Sequence, residues 1–179
     1  QFWAYCMALS FGASSFFIFL GAAPYIGGTL YGLTPQKLGL FIGAPALGYI
    51  LGNYISGRCS TYFGIEKMVV SGLFISWTVI SSALLLILSG FGSVNLLFLV
   101  MSLSGVGNGI TMPSATAGMM SVRPYLAGTA SGLGGSLMIA IGGGLSMFAS
   151  LIMHGQTGEA PMALVMCIAT TLGLVCSFY

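Results

Sequence analysis

GVGNGITMPSATAGMMSVRPYLAGTASGLGGSLMIAIGGG, residues Gly105 to Gly144, decides how this chain is read. It consists of two apolar segments joined by a short polar connector, Ser121 to Pro124, whose one charge is Arg123. Gly128, Gly132, Ser136, Ala140 and Gly144 recur every fourth residue, a single row of small side chains along one helix. In water each helical glycine is worth up to ~1 kcal/mol less than alanine. In hydrocarbon the backbone has no water to bond, so the helix persists and the row becomes a place of close helix approach. A four-residue row is inclined to the helix axis and suits an oblique crossing. The stretch belongs to an integral membrane protein.

The rest of the composition agrees. Of 179 residues 57% are apolar and 3% charged, against roughly 25% charged in soluble domains. The charges are Lys37, Arg58, Glu66, Lys67, Arg123 and Glu159, each at or near a break between apolar segments. The net charge of +2 therefore reports orientation in a membrane, and nucleic acid is not an expected partner. Cys6, Cys59, Cys167 and Cys176 lack metal-ligand spacing and read as free thiols acting as small hydrophobes. No metal or other cofactor is expected. Enzyme chemistry is not expected either: there is no Asp, both Glu stand at connections, and His154 is a lone residue in a solvated connector.

With ~20 apolar residues needed per crossing, six spans can be placed: Phe2–Leu30, Gln36–Tyr62, Lys67–Leu88, Val94–Met120, Tyr125–Ile152 and Pro161–Tyr179. The expected fold is an all-α bundle of six transmembrane helices. Pro35, Pro124 and Pro161 stand at or near helix starts, where a missing N–H matters little. Pro24, Pro45 and Pro113 fall inside spans or near their ends, where kinks are expected. The first residues already belong to a span and carry no signal-peptide pattern, and the last span runs to Tyr179, so a longer parent chain is expected. Arg58, Lys67 and Arg123 flank two connections, against Lys37 alone on the other side, which puts both ends of the segment in the cytoplasm.

An internal repeat is also legible. Shifting the chain by 89 residues lays Pro24 on Pro113, Pro35 on Pro124, Gly39 on Gly128 and Gly43 on Gly132. Because the shift equals three spans, residues 1–90 and 91–179 form units inverted relative to one another, a transporter device. The second span has its own small row, Ala44, Gly48, Gly52, Ser56 and Ser60, so the second and fifth helices both offer close-packing faces. The third and sixth, nearly solid aliphatic, read as lipid-facing walls. On the fourth, Asn108 sits at mid-span, where an amide turns toward protein or a wet cavity. It shares a face with Ser104, Thr111, Met112 and Ala115. The matching strip on the first helix is Ser15, Phe19, Ala22, Ala23 and Ile26. Facing strips of this kind make an apolar pocket with a few polar groups. Ser15, Phe16, Phe19, Leu20, Ala23, Tyr25, Ser104, Asn108, Thr111 and Met112 are the expected cavity residues. The alternative is that Asn108 merely bonds a neighbouring helix.

Gly52-Asn53-Tyr54-Ile55-Ser56-Gly57-Arg58 followed by Gly64-Ile65-Glu66-Lys67 resembles the loop motif repeated in each half of major facilitator superfamily transporters, with Gly57, Arg58, Gly64 and Lys67 in the matching places. It is degenerate, since Ser56-Gly57 replaces the acidic residue ahead of the arginine. The runs AAPYIGGTLYGLTPQKLGLFIGAPALGYILGN and GNGITMPSATAGMMSVRPYLAGTASGL are more specific. They resemble the seventh-to-eighth and tenth-to-eleventh helices of proton-coupled multidrug exporters of the bicyclomycin and chloramphenicol resistance type. The resemblance implies the C-terminal half of a twelve-helix transporter. It also implies that the first and fourth helices line the central cavity, the second and fifth pack on the N-terminal six-helix half, and the third and sixth lie outside.

The function expected is export of small lipophilic drugs across an inner membrane, driven by protons bound in the other half. Ala44, Gly48, Gly52, Ser56, Gly128, Gly132, Ser136, Ala140 and Gly144 are the expected inter-half contacts. Two other functions remain open: a metabolite facilitator or symporter of the same superfamily, and a non-transporting scaffold subunit that assembles through its glycine faces.

Overall fold

The computed structural model describes residues 1–153 and 158–178. It holds six α-helices: α1 (Phe2–Pro24), α2 (Pro35–Phe63), α3 (Ile65–Leu88), α4 (Val94–Val122), α5 (Ala127–Met153) and α6 (Ala160–Cys176). Among the described residues there is no strand. With their short extensions, the first five are long and apolar enough to cross a bilayer. The sixth, expected to run to Tyr179, closes at Cys176 after 17 residues, about 25 Å at 1.5 Å per residue and the short end of what spans. The chain is a multi-pass helical membrane protein. His154, read from the sequence as solvated, lies outside the described residues.

Helix ends follow local chemistry. Pro35 stands in the first turn of α2. Ser93 caps α4, its side-chain oxygen accepting from the Leu96 N–H at 3.2 Å. Gly64, at φ 83°, is the single residue between α2 and α3, and its left-handed backbone turns the chain where a side chain would be strained. Pro24 cannot donate to the turn before it, and α1 widens there into a π-helical segment, Tyr25–Leu30, closed by a Tyr31 N–H to Ile26 carbonyl bond of 3.0 Å. Pro45 and Pro113 are carried inside α2 and α4 without ending them.

α1 and α4 form the centre. α2 and α3 pack on α4, α5 and α6 pack on α1, α1 touches α4, and α3 touches α6. Exchanging α1, α2 and α3 for α4, α5 and α6 carries the α2–α4 pairing onto α5–α1 and the α3–α4 pairing onto α6–α1, and leaves α1–α4 and α3–α6 unchanged. Along the α3–α6 seam the Trp77 Nε1–H donates to Thr171 Oγ1 at 2.9 Å. The outer faces of these two helices, with Phe74, Leu85 and Leu88 on one and Leu164, Ile168 and Leu172 on the other, are exposed and apolar.

The two small-residue rows have different fates. The row on α2, expected to face another half, is used up inside this bundle: Ala44, Gly48, Gly52 and Ser56 are buried against α4. A β-carbon on Gly48 would lie 2.8 Å from the Val106 nitrogen, and one on Gly52 would lie 2.9 Å from the Gly109 Cα. Ser56 and Ser114 share a hydroxyl hydrogen bond of 3.0 Å, and Ser102 Oγ donates to the Ala44 carbonyl at 3.2 Å. The reason is that α4 brings its own glycines, Gly105 and Gly109, to the seam. Two smooth surfaces then meet backbone to backbone, where dispersion and close approach replace a hydrophobic driving force. The row on α5 does the opposite. Gly128, Gly132, Ser136, Ala140 and Gly144 are all exposed, and a β-carbon on any of the three glycines would meet nothing within 4 Å. α5 turns Gly134 and Gly142 inward instead, seating Met119 and Phe17. On α2 the open glycines are Gly39, Gly43 and Gly57, likewise with nothing within 4 Å.

Candidate binding groove

Asn108 is held by a short relay. Its Nδ2 donates to Ser15 Oγ at 3.2 Å, and Ser15 Oγ donates in turn to the Gly12 carbonyl at 3.0 Å. With the serine proton committed to Gly12, the amide can only present its NH₂ side to α1. Its carbonyl, Oδ1, is buried and has no hydrogen-bond partner among the described residues. Buried acceptors left so are uncommon and ask for an explanation. Beside it lies an apolar depression of about 290 Å³ between α1, α2 and α4, lined by Phe16, Ile42, Pro45, Ala46, Tyr49, Gly105, Asn108 and Met112.

The expected cavity set divides at this groove. Phe16, Asn108 and Met112 line it, with Ser15 beneath them as the partner of Asn108. Phe19 does not: it is fully buried and meets Phe41 edge to face, ring centroids 5.1 Å apart. Ala23 is equally enclosed in the core. Ser104 is buried with its hydroxyl donating to the Met101 carbonyl at 3.0 Å, while its own carbonyl accepts from Ser76. Thr111 is turned toward Gly72 of α3. Leu20 on α1 and Tyr25 at the start of the π-helical segment are exposed but stand outside the groove lining. The physical cause is angular. On a helix Thr111 lies about 100° from Met112, and the boundary between core and open face passes between them. The open stripe of α4 reads Gly105, Asn108, Met112, Thr116 and Met120, a spacing of three and then four. Tyr49, Ile42 and Ala46 were missed because α2 read as a packing helix. The signal that could have found them is Tyr49 itself, an aromatic one position past Gly48.

The loop-motif residues lie at the far end of α2. Arg58 is exposed and its guanidinium sits 5.4 Å from the centre of the Tyr54 ring, within cation–π range. Gly57 is open, Gly64 makes the turn, and Lys67 is exposed in the first turn of α3.

Glu159, read from the sequence as a loop carboxylate, is 5% exposed. A β-carbon on Gly92 would be 3.2 Å from either of its oxygens, and Oε2 has no partner among the described residues. Burial pushes its carboxyl pKa up. The folded state therefore binds the proton more tightly than the unfolded chain. Stability contributed by this site is present at low pH and lost as pH rises from the ordinary carboxylate range through the raised value, with a slope of at most ~1.4 kcal/mol per pH unit. Glu159→Gln, which keeps the shape without the charge, is expected to flatten that slope in thermal melts of the solubilised full-length protein between pH 4 and 8. An unchanged slope would show that other groups set it.

No family model matches the chain. It is similar to an uncharacterized MFS-type transporter, YdgK, of Bacillus subtilis (strain 168), 25% identical over 180 residues and 99% of this chain. It is also similar to multidrug resistance protein D of Escherichia coli (strain K12), 27% identical over 176 residues and 96% of this chain. In both cases it spans 43% of the relative's length. Of these two relatives, one is thus named an MFS-type transporter and the other a multidrug resistance protein.

Proposed function

We propose that the chain is the C-terminal six-helix half of a major facilitator superfamily transporter that exports small lipophilic compounds in exchange for protons, from a cytoplasmic or bacterial inner membrane and with both ends of the segment in the cytoplasm. The observation that carries this reading is the groove, an apolar concavity with one buried amide, Asn108, in its lining. Elsewhere on the bundle, uncovered glycines stand on α2, at Gly39 and Gly43, and on α5, at Gly128 and Gly132. Coverage of less than half of each relative's length supports a second half that would close over this face.

The inverted repeat is supported by a detail of lining. Ile42, Ala46 and Tyr49 face open space from α2; Ser131, Gly135 and Met138 do so from α5. These two triplets are related by the same 89-residue shift that aligns the prolines. Helices equivalent under such a repeat present the same face to a central site. Charged residues are absent from the groove lining, which favours lipophilic compounds over sugars or carboxylates. No carboxylate of this chain lines the groove, so the coupling group is assigned to the other half.

The test is reconstitution of the full-length protein in liposomes with an imposed pH gradient. Gradient-driven movement of a lipophilic fluorescent drug is expected, and residues 1–179 alone should show none. Glu66→Gln and Glu159→Gln should retain coupling. Loss of coupling in either, with drug binding intact, would put the proton site in this half. Movement of a sugar or carboxylate in place of the drug would favour the metabolite carrier.

A further inference from the structure

A depression of about 690 Å³ lies away from the Asn108 groove and shares no lining residue with it. It opens between the starts of α1 and α3 and the end of α6. Its lining is graded along the helix axes. Gln1, Glu66, Lys67 and Ser177 stand at helix ends, where a bilayer gives way to water. Ala8, Val70 and Phe74 line it deeper, Phe74 standing about 10 Å beyond Lys67 along α3 at 1.5 Å per residue.

The two charges at the rim do not cancel. Consecutive residues on a helix diverge by about 100° and do not face one another. Glu66 turns instead toward α1, where the Tyr5 hydroxyl donates to its carboxylate. Tyr5 is fixed from behind. A β-carbon on Gly118 of α4 would lie 2.6 Å from the Tyr5 ring, which fills the space a side chain there would need. The carboxylate is thus held on one wall of the depression, while Lys67 is exposed on its rim.

We propose that this depression seats a membrane phospholipid with a primary-amine headgroup, one acyl chain running down past Val70 and Phe74. Charge complementarity selects it. The ammonium gives N–H donors to the Glu66 carboxylate, and the phosphate pairs with Lys67. A phosphatidylcholine headgroup has the same net charge but no N–H to give. A phosphatidylglycerol headgroup brings an anion toward Glu66 with no cation to offset it. A soluble amine phosphate would satisfy the rim and leave the apolar floor uncovered. A lipid seated there bridges α1, α3 and α6 at one membrane end and stabilises the bundle as its occupancy rises. The site needs only that the chain cross a bilayer, and it stands or falls apart from drug export.

Delipidated full-length protein in detergent is titrated with dioleoyl phosphatidylethanolamine, phosphatidylcholine or phosphatidylglycerol, and the rise in melting temperature is read. In the wild type the ethanolamine lipid should half-saturate at a concentration roughly fivefold below either of the others, the size of a good ion pair. Glu66→Gln, which keeps an acceptor for Tyr5, should bring the ethanolamine and choline lipids within about twofold of each other. Lys67→Gln should weaken both about fivefold and keep their order. Both residues are exposed in the first turn of α3, so the lipid-free melting points should match the wild type. Val70→Trp, which fills the apolar part, should abolish saturable binding of all three. Lys37→Gln, at the other end of α2, should change nothing. Equal affinity for the three lipids in the wild type, or a preference unchanged in Glu66→Gln, would overturn the headgroup assignment. No saturable shift with any lipid would show that another stretch of the full-length chain covers the depression, and would overturn the lipid itself. Movement of drug along a pH gradient is read separately, and its failure would leave this site in place.

Discussion

Gly48→Leu is expected to leave almost no folded protein in the membrane. A β-carbon alone already falls against the Ser102 carbonyl and within 2.8 Å of the Val106 nitrogen, and both obstacles are backbone atoms of α4. A flexible side chain could swing away; a helix backbone cannot. The seam must part along its length, which also breaks the Ser102–Ala44 and Ser56–Ser114 hydrogen bonds. Overpacking a core position costs ~1–3 kcal/mol when neighbours can adjust, and here they cannot. A loss above that range is a large share of the ~5–15 kcal/mol that holds a typical protein together. Size-exclusion profiles of solubilised protein read this directly, with Leu85→Ala on the exposed wall as control. A Gly48→Leu protein as monodisperse and heat-stable as that control would show that the α2–α4 seam is not as close as described.

Gly132→Leu separates folding from function. Nothing lies within 4 Å of a β-carbon at Gly132, so the six-helix bundle accommodates the leucine and the melting profile should match Leu85→Ala. If the α5 row is the contact with a second half, the same leucine holds two helices apart where they must touch, and transport should fall by tenfold or more. Gly128→Leu should behave alike, whereas Gly134→Leu, which faces Met119, should destabilise the bundle itself. Full transport by Gly132→Leu would remove the row from the working interface.

The number and order of helices were legible because hydrocarbon imposes its length on each apolar run, and Pro35, Gly64 and Pro124 punctuate them. The α5 row was legible as a smooth surface. What could not be read was which smooth surface meets which. Periodicity shows that Gly48 and Gly52 share a face, but their partner depends on Gly105 and Gly109, half the chain away. The same limit explains the cavity. Asn108 and Met112 were found by polarity and position, yet Phe19 and Ala23 are buried in the core, Phe19 against Phe41 of α2, a partner that the α1 sequence does not reveal. Glu159 was misjudged because a carboxylate beside a proline reads as solvent-facing, and the glycine that makes room for it, Gly92, belongs to a different connection.

The glycine seam between α2 and α4 also bears on movement. Contact through side chains can creep, because rotamers change and neighbours refill the space. Contact between backbones has no such slack: the two rods are keyed together, and pushing one displaces the other by the same amount. Tyr49 rides on one rod and Asn108 on the other. The two walls of the groove they line therefore travel as one piece during any rocking motion. In the proposed transporter the distance between them is conserved, and a bound molecule would be let go by withdrawal of whatever lies across the opening rather than by the groove itself spreading apart.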